Sequence, residues 1–221
     1  MSLREIQVQH LGLDVDYDDA LQRQDVLVRQ RQADEINDQL LVLQHRAVIT
    51  IPRDRAAQHL LIAEEEAERR GIQVRRTNRG GDITYHGPGQ WVLYPIVKLH
   101  HEERDVRRYV YHLEQAMIDT CAQFGLSASR KEGLTGCWVG EEKIGAIGVR
   151  FSRWVASHGI AFNASTNLEH FRFIVPCGIA SKGVCSMESL GLHPSKVVED
   201  LVSAVTRALG RQAVEVPCVS S

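Results

Sequence analysis

The sequence predicts a mixed-sheet α/β or α+β fold, meaning a mixed β-sheet with packed helices. Three observations carry this: strand-like and helix-like segments interleave along the 221 residues, a hairpin signal stands among them, and one long helix shows a clean apolar stripe. The interleaving favours a sheet covered by helices, and the hairpin argues against a purely parallel, doubly wound arrangement. With no repeat and no linker rich in Pro, Gly or Ser, residues 1–221 read as a single domain large enough to bury a substantial core.

The elements follow in order. Asp18–Glu35 is polar and helical, with Ala20, Leu21, Leu27 and Val28 as a thin stripe. Leu40–Leu43 and Ala47–Ile51 read as short strands around a turn at His45 and Arg46. Ala56–Arg70 reads as a helix closed by Gly71, and Ile72–Arg76 as a strand. Trp91–Leu99 is a run of strand formers in which Pro95 implies an edge or a bulge. Asp105–Phe124 is the clearest helix, its stripe formed by Val106, Tyr109, Val110, Leu113, Met117, Cys121 and Phe124. Cys137–Val139 and Lys143–Val149 form a hairpin across residues 140–142, and His158–Asn163 is a further strand. Lys196–Leu209 is a last helix, with Ser195 as N-cap and Gly210 after its end.

Composition narrows the class. The apolar runs are too short to span a bilayer, and Met1–His10 lacks the apolar region of a secretory signal, so a cytoplasmic location is expected. A net charge of −2 gives no reason to expect nucleic acid or a membrane as partner. The five cysteines, at 121, 137, 177, 185 and 218, have neither paired nor metal-site spacing, so neither a disulfide framework nor a metal site is expected.

Three segments carry chemistry. Residues 79–90 read RGGDITYHGPGQ, either a glycine-rich turn or a backbone shaped for close approach of a ligand; the phosphate-loop and dinucleotide spacings are absent. Residues 143–150 read KIGAIGVR. In a regular strand Lys143, Gly145, Ile147 and Val149 share one face, where the amine is partly desolvated and able to take a proton; the alternative is a lysine ending the strand in water. Residues 174–178 read IVPCG, a bent loop whose Cys177 is either an accessible nucleophile or an inert thiol.

RGGDITYHGPGQ, then KIGAIGVR with SHGIAFN, then IVPCGI together closely resemble the lipoyl(octanoyl)transferase family, from Arg79 to about Ser189. The resemblance implies a catalytic domain like that of biotin and lipoate protein ligases. It implies an acyltransferase that moves octanoyl from octanoyl-acyl carrier protein to a lysine of lipoyl domains. The acceptors would be lipoyl domains of 2-oxoacid dehydrogenase complexes and the glycine cleavage H protein, and no cofactor is needed. Cys177 would be the acyl-thioester nucleophile and Lys143 its proton partner. The acyl-binding stretches would be Arg79, Gly80, Gly81, Asp82, Ile83, Thr84, Tyr85 and His86; Ala146, Ile147 and Gly148; and Gly159, Ile160 and Ala161, with the small residues Gly145, Ala146, Gly148 and Gly159 leaving a slot for a straight chain. Arg75, Arg76, Arg79, Arg150 and Arg153 are candidates for docking an acidic carrier.

Two departures stand out. Gln44–Thr50 lacks the acidic residue and Pro-Pro pair usual after the family's histidine. Cys185 replaces a usual threonine and, if close to Cys177, could form an inactivating disulfide. The rival readings are an ATP-dependent lipoate or biotin ligase, an octanoyl amidotransferase between lipoyl-domain proteins, an acyl-carrier-binding module without turnover, and a cysteine hydrolase using His86 or His158 as base.

Overall fold

Alternation begins at the N-terminus: in β1 (Arg4–Val15), Ile6 and Val8 are fully buried while their neighbours are not, the period of a strand with one covered face. The computed structural model describes residues 3–52, 57–175 and 182–216. After α1 (Tyr17–Gln32), whose first turn is capped by the Asp16 carboxylate, come β2 (Asp38–His45) and β3 (Val48–Pro52). Next are α2 (Glu64–Arg69), β4 (Gln73–Thr77), β5 (Thr84–His86), β6 (Gln90–Ile96) and α3 (Val106–Gln123). The chain continues through β7 (Ala128–Lys131), β8 (Leu134–Val139), β9 (Glu142–Ser152), β10 (Val155–Asn163), β11 (Gly183–Val184), α4 (Val197–Ala208) and β12 (Arg211–Glu215).

The strands form a nine-stranded mixed sheet in the order β12-β1-β2-β6-β10-β9-β8-β7, with β11 added beside β9, and a three-stranded sheet β4-β3-β5. β1 runs parallel to both β12 and β2, and the rest of the large sheet's main path is antiparallel. One face carries α3 and α4, packed through Leu113, Met117, Leu201 and Val205 against Leu40, Val42 and Ile160. The other carries α1, whose Ala20 and Leu27 meet Leu41, Leu43 and Val92. β2 is buried on both faces, which is why its apolar residues run together instead of alternating. Asp38, 2% exposed, ties this centre to the sheet edge by accepting from Arg31 Nε and Arg211 Nε, each at 2.7 Å.

The mixed sheet with packed helices agrees with expectation; several local readings change. Of the helix expected over Ala56–Arg70, Ala56 lies outside the described residues and the rest shrinks to Glu64–Arg69, because Leu60 bridges to Ile174 and the Leu61 N–H is taken by the Phe173 carbonyl. β6 is a central strand despite Pro95. Its ladder with β10 stops at Leu93–Ile160, and His158, which would stand opposite the proline, has φ 55° and donates its N–H to Gln24 Oε1 instead. Ser195 is not the N-cap of α4; Lys196 holds that position, in the left-handed region. Val106, expected in the stripe of α3, is exposed. β1, β7 and β12 were not expected, and their polar, short or weakly alternating sequences explain it. Among the described residues no helix is long and apolar enough to cross a membrane, and no cluster suited to a metal ion occurs.

Candidate functional site

β9 is not a regular strand, and the irregularity decides what Lys143 does. Cys137 of β8 pairs with Gly145 while the next residue, Trp138, pairs with Lys143, leaving Ile144 as one extra residue on β9. Alternation is therefore interrupted. Ile144 is fully buried in the helix-side core, a Cβ on Gly145 would land 2.4 Å from Met117 Sδ, and Ile147 and Val149 pack against that same core. Lys143 does not share their face, contrary to the regular-strand expectation; with Ala146 and Gly148 it lines a cavity of about 330 Å³. The lysine is 6% exposed, donates from Nζ to the Thr135 carbonyl at 3.1 Å, and lies 4.8 Å from the centre of the Trp138 ring.

The glycine-rich stretch forms the opposite wall. Arg79, Gly81, Asp82, Ile83, Thr84 and His86 line the cavity, as do Ala146, Ile147, Gly148, Gly159, Ile160 and Ala161. Two expected residues do not: Gly80 donates its N–H to the Val149 carbonyl, and Tyr85 is buried in the small sheet's core, with its hydroxyl on His170 Nδ1 at 2.8 Å. Arg79 is buried and its guanidinium donates to Thr50 Oγ1, Thr50 O and Gly80 O, so it braces the wall and is withdrawn from any surface docking role. Arg75 is paired with Asp18 and Arg76 with Glu64, while Arg150 and Arg153 remain exposed. Asp82 Oδ1 accepts from the Ile83 N–H at 2.7 Å and faces His59 Nδ1 at 3.0 Å.

Gly145, expected in the acyl slot, faces Met117 in the helix-side core instead, and the glycines that do line the cavity serve close packing of its walls more than an open slot. A Cβ on Gly159 would stand 2.1 Å from the Leu93 carbonyl oxygen and 2.6 Å from Pro95 Cδ; one on Gly148 would meet Arg79 Cδ and Gly80 O at 3.0 Å. The divergent Gln44–Thr50 segment is part of this scaffold, since Gln44 Oε1 accepts from the Gly89 N–H at 2.8 Å and Thr50 receives Arg79.

Of three buried histidines, His86 and His158 line the cavity and His45 stands behind His86, with ring centres 5.7 Å apart. Burial holds His45 down to about 4 and His158 down to about 3, and burial with the neighbouring His45 and Arg79 holds His86 well below the ordinary range. All three are neutral near pH 7 and poor bases there, which removes the main support for a hydrolase using His86 or His158. The cysteines at 121, 137 and 185 are buried. A hydrogen bond with Cys121, then burial, pushes the Cys137 thiol up, and burial with Glu142 and Cys121 pushes that of Cys185 up to about 12. These two are the inert kind. Pro176, Cys177 and Gly178 lie outside the described residues, as does any Cys177–Cys185 proximity.

Gln90, Tyr94, Thr135, Asn163 and Phe171 also line the cavity and were not singled out from sequence. Gln90 and Asn163 end two of the quoted motifs, a signal that could have found them; Thr135 and Phe171 carried none.

The catalytic-domain model of lipoyl protein ligases A and B matches residues 16–210. An octanoyltransferase of Solibacter usitatus is 49% identical over 197 residues, covering 89% of this chain and 88% of that protein. The crystal structure of lipoate-protein ligase A bound with ATP superposes with a TM-score of 0.72 at 13% identity, covering 98% of this chain and 90% of that one. Biotin protein ligase from Aquifex aeolicus shares the fold at a TM-score of 0.50 and 10% identity, over 92% of this chain and 68% of that one.

Proposed function

Because the chain belongs to the lipoyl protein ligase A/B catalytic-domain family and, within it, to the octanoyltransferases, it is an acyltransferase of lipoate biosynthesis, and we propose that it works through Cys177 and Lys143. The donor is octanoyl-acyl carrier protein and the acceptor a lysine of a lipoyl domain, in 2-oxoacid dehydrogenase complexes or the glycine cleavage H protein. The observation that supports this reading most directly is the break in β9, which turns the Lys143 amine away from the helix core and into a cavity walled by the family's acyl-binding stretches.

The chemistry is thioester exchange followed by aminolysis. The Lys143 amine takes the Cys177 proton, and the thiolate adds to the donor carbonyl. The tetrahedral adduct collapses by breaking the bond to the carrier sulfur, which leaves with the proton from Lys143. The acceptor amine then attacks the acyl-enzyme, Lys143 accepts its proton, and the Cys177 sulfur departs and is reprotonated. Exchange of one thioester for another is close to neutral in energy, so no nucleotide is consumed. Burying about seven methylene-sized groups of the acyl chain contributes roughly 5 kcal/mol of binding.

Intact-protein mass spectrometry after incubation with octanoyl-carrier protein, without ATP, tests this. Wild type gains one hydroxylamine-labile octanoyl group, Cys177→Ser gains none, and Lys143→Ala acylates more slowly while remaining folded. A thioester adduct on Cys177→Ser, or an absolute need for ATP, defeats the proposal.

A further inference from the structure

One run of hydrogen bonds crosses the cavity wall and ends on the backbone of Lys143. His86 Nδ1 faces Gln90 Oε1 at 2.7 Å, and Gln90 Nε2 donates to Asn163 Oδ1 at 2.9 Å and to the Tyr85 carbonyl at 3.2 Å. Asn163 Nδ2 donates to the Cys185 carbonyl at 2.9 Å, and the Cys185 N–H donates to the Lys143 carbonyl at 3.1 Å. Gln90 is 2% exposed and Asn163 4%, so neither amide has bulk water as an alternative partner.

The direction of this run is fixed at two points. A backbone carbonyl only accepts, so the Cys185 and Tyr85 oxygens require the NH₂ ends of Asn163 and Gln90 to face them. Gln90 Oε1 must then face His86, whose Nδ1 carries the hydrogen. β11 spans only Gly183–Val184 and pairs with Glu142 and Lys143. So short a strand holds little register of its own. Asn163, at the end of β10 and paired across the sheet with Gln90 of β6, supplies a fixed point from the two central strands.

We infer that Asn163 is a positioning residue for acyl transfer: its side-chain amide, oriented by Gln90, holds the Cys185 carbonyl and thereby keeps β11 in one register against the backbone of Lys143. This rests on the reading of Lys143 given above. Asn163 touches no reacting atom; it acts through the lysine's strand.

The test is Asn163→Ala in the full chain, with steady-state kinetics on octanoyl-carrier protein and amide hydrogen exchange at Cys185. A lysine displaced by about 1 Å lowers kcat by about 10- to 100-fold; because Asn163 is itself a small part of the cavity wall, KM for the donor also rises, but by less than kcat falls. Exchange at the Cys185 N–H quickens while the β6–β10 ladder stays protected. Should Asn163→Ala fold poorly, Gln90→Ala frees the Asn163 amide to turn and gives the same pattern in weaker form. Unchanged kcat in a folded variant, or a fall in kcat with Cys185 exchange unaltered, overturns the inference. Lys143→Ala separates the two levels: full turnover there sinks the underlying reading, whereas a dead Lys143→Ala beside a fully active Asn163→Ala sinks only the role of Asn163.

Discussion

Gly145→Ala tests which way β9 faces after its extra residue. Gly145 is not among the glycines with positive φ, so alanine fits the backbone, and on that count alone the substitution stabilises by about 0.4–1 kcal/mol through the unfolded chain. The new methyl, however, stands 2.4 Å from Met117 Sδ and 3.3 Å from Met117 Cε, while Cys137 Cβ at 3.4 Å is an ordinary contact. Displacing the buried thioether costs about 1–3 kcal/mol, so the net effect is a loss of about 1–2 kcal/mol. In a chain of this length that lowers the melting temperature by about 2–8 °C. Met117→Ala removes the obstacle at its own cost of about 2–5 kcal/mol. In that background Gly145→Ala should change sign and raise stability by about 0.4–1 kcal/mol. Thermal and urea unfolding of the four proteins followed by circular dichroism reads this directly. Additive losses in the double variant would show that Gly145 does not face Met117, and the face assignment of Lys143 would fall with it. Below the transition, Gly145→Ala should also leave acyl chain-length preference untouched.

Three further predictions follow from the same geometry. Ala146→Leu, on the cavity side of β9, displaces the last two methylenes of substrate at about 0.8 kcal/mol each, so kcat/KM for octanoyl relative to hexanoyl donors should fall roughly 15-fold; an unchanged ratio removes Ala146 from the chain's path. His45 and His158 have folded pKa values of about 4 and about 3, below the unfolded value of 6.5. The unfolded chain therefore binds more protons across that window, and stability is full above pH 6.5 and lost as pH falls toward the folded values, by about 1.4 kcal/mol per pH unit for each ring. Urea midpoints that stay level between pH 7 and pH 5 contradict this, and His45→Gln should flatten the slope. Asp38→Asn leaves the buried Arg31 and Arg211 without their shared carboxylate and should cost about 3–5 kcal/mol in chemical denaturation.

What the sequence disclosed tracks the physics of each segment. The stripe of Tyr109, Leu113, Met117 and Cys121 announced α3, and the hairpin across residues 140–142 was equally plain, because local periodicity and turn chemistry decide both. The acyl-binding stretches implied by the resemblance line one cavity, apart from Gly80 and Tyr85, because β9 and β10 pair side by side and the glycine-rich segment closes over them. Pattern alone could not see that Pro95 sits in a central strand, since the accommodation is made on the neighbouring strand by His158 and Gly159, more than sixty residues away. Nor could it see the edge strand β12, whose pairing with β1 spans the chain from end to end. The break at Ile144 had one hint, the glycine beside it, which in a strand marks either a bulge or a close approach. Here it marks both.

That one additional residue divides β9 into two phases of the sheet. Upstream the odd-numbered position looks toward substrate, and downstream the odd-numbered positions look toward the helices. Chemistry and architecture are thus uncoupled within a single strand: the layer built on Ile147 and Val149 can be varied for stability without redirecting the amine, and the amine's surroundings can be varied without disturbing that layer. Deleting Ile144 alone would bring the two phases into step without turning the amine, because Lys143 would then stand directly before helix-facing Gly145 and still look into the cavity; what would be lost is the apolar side chain that the extra residue adds to the helix-side core.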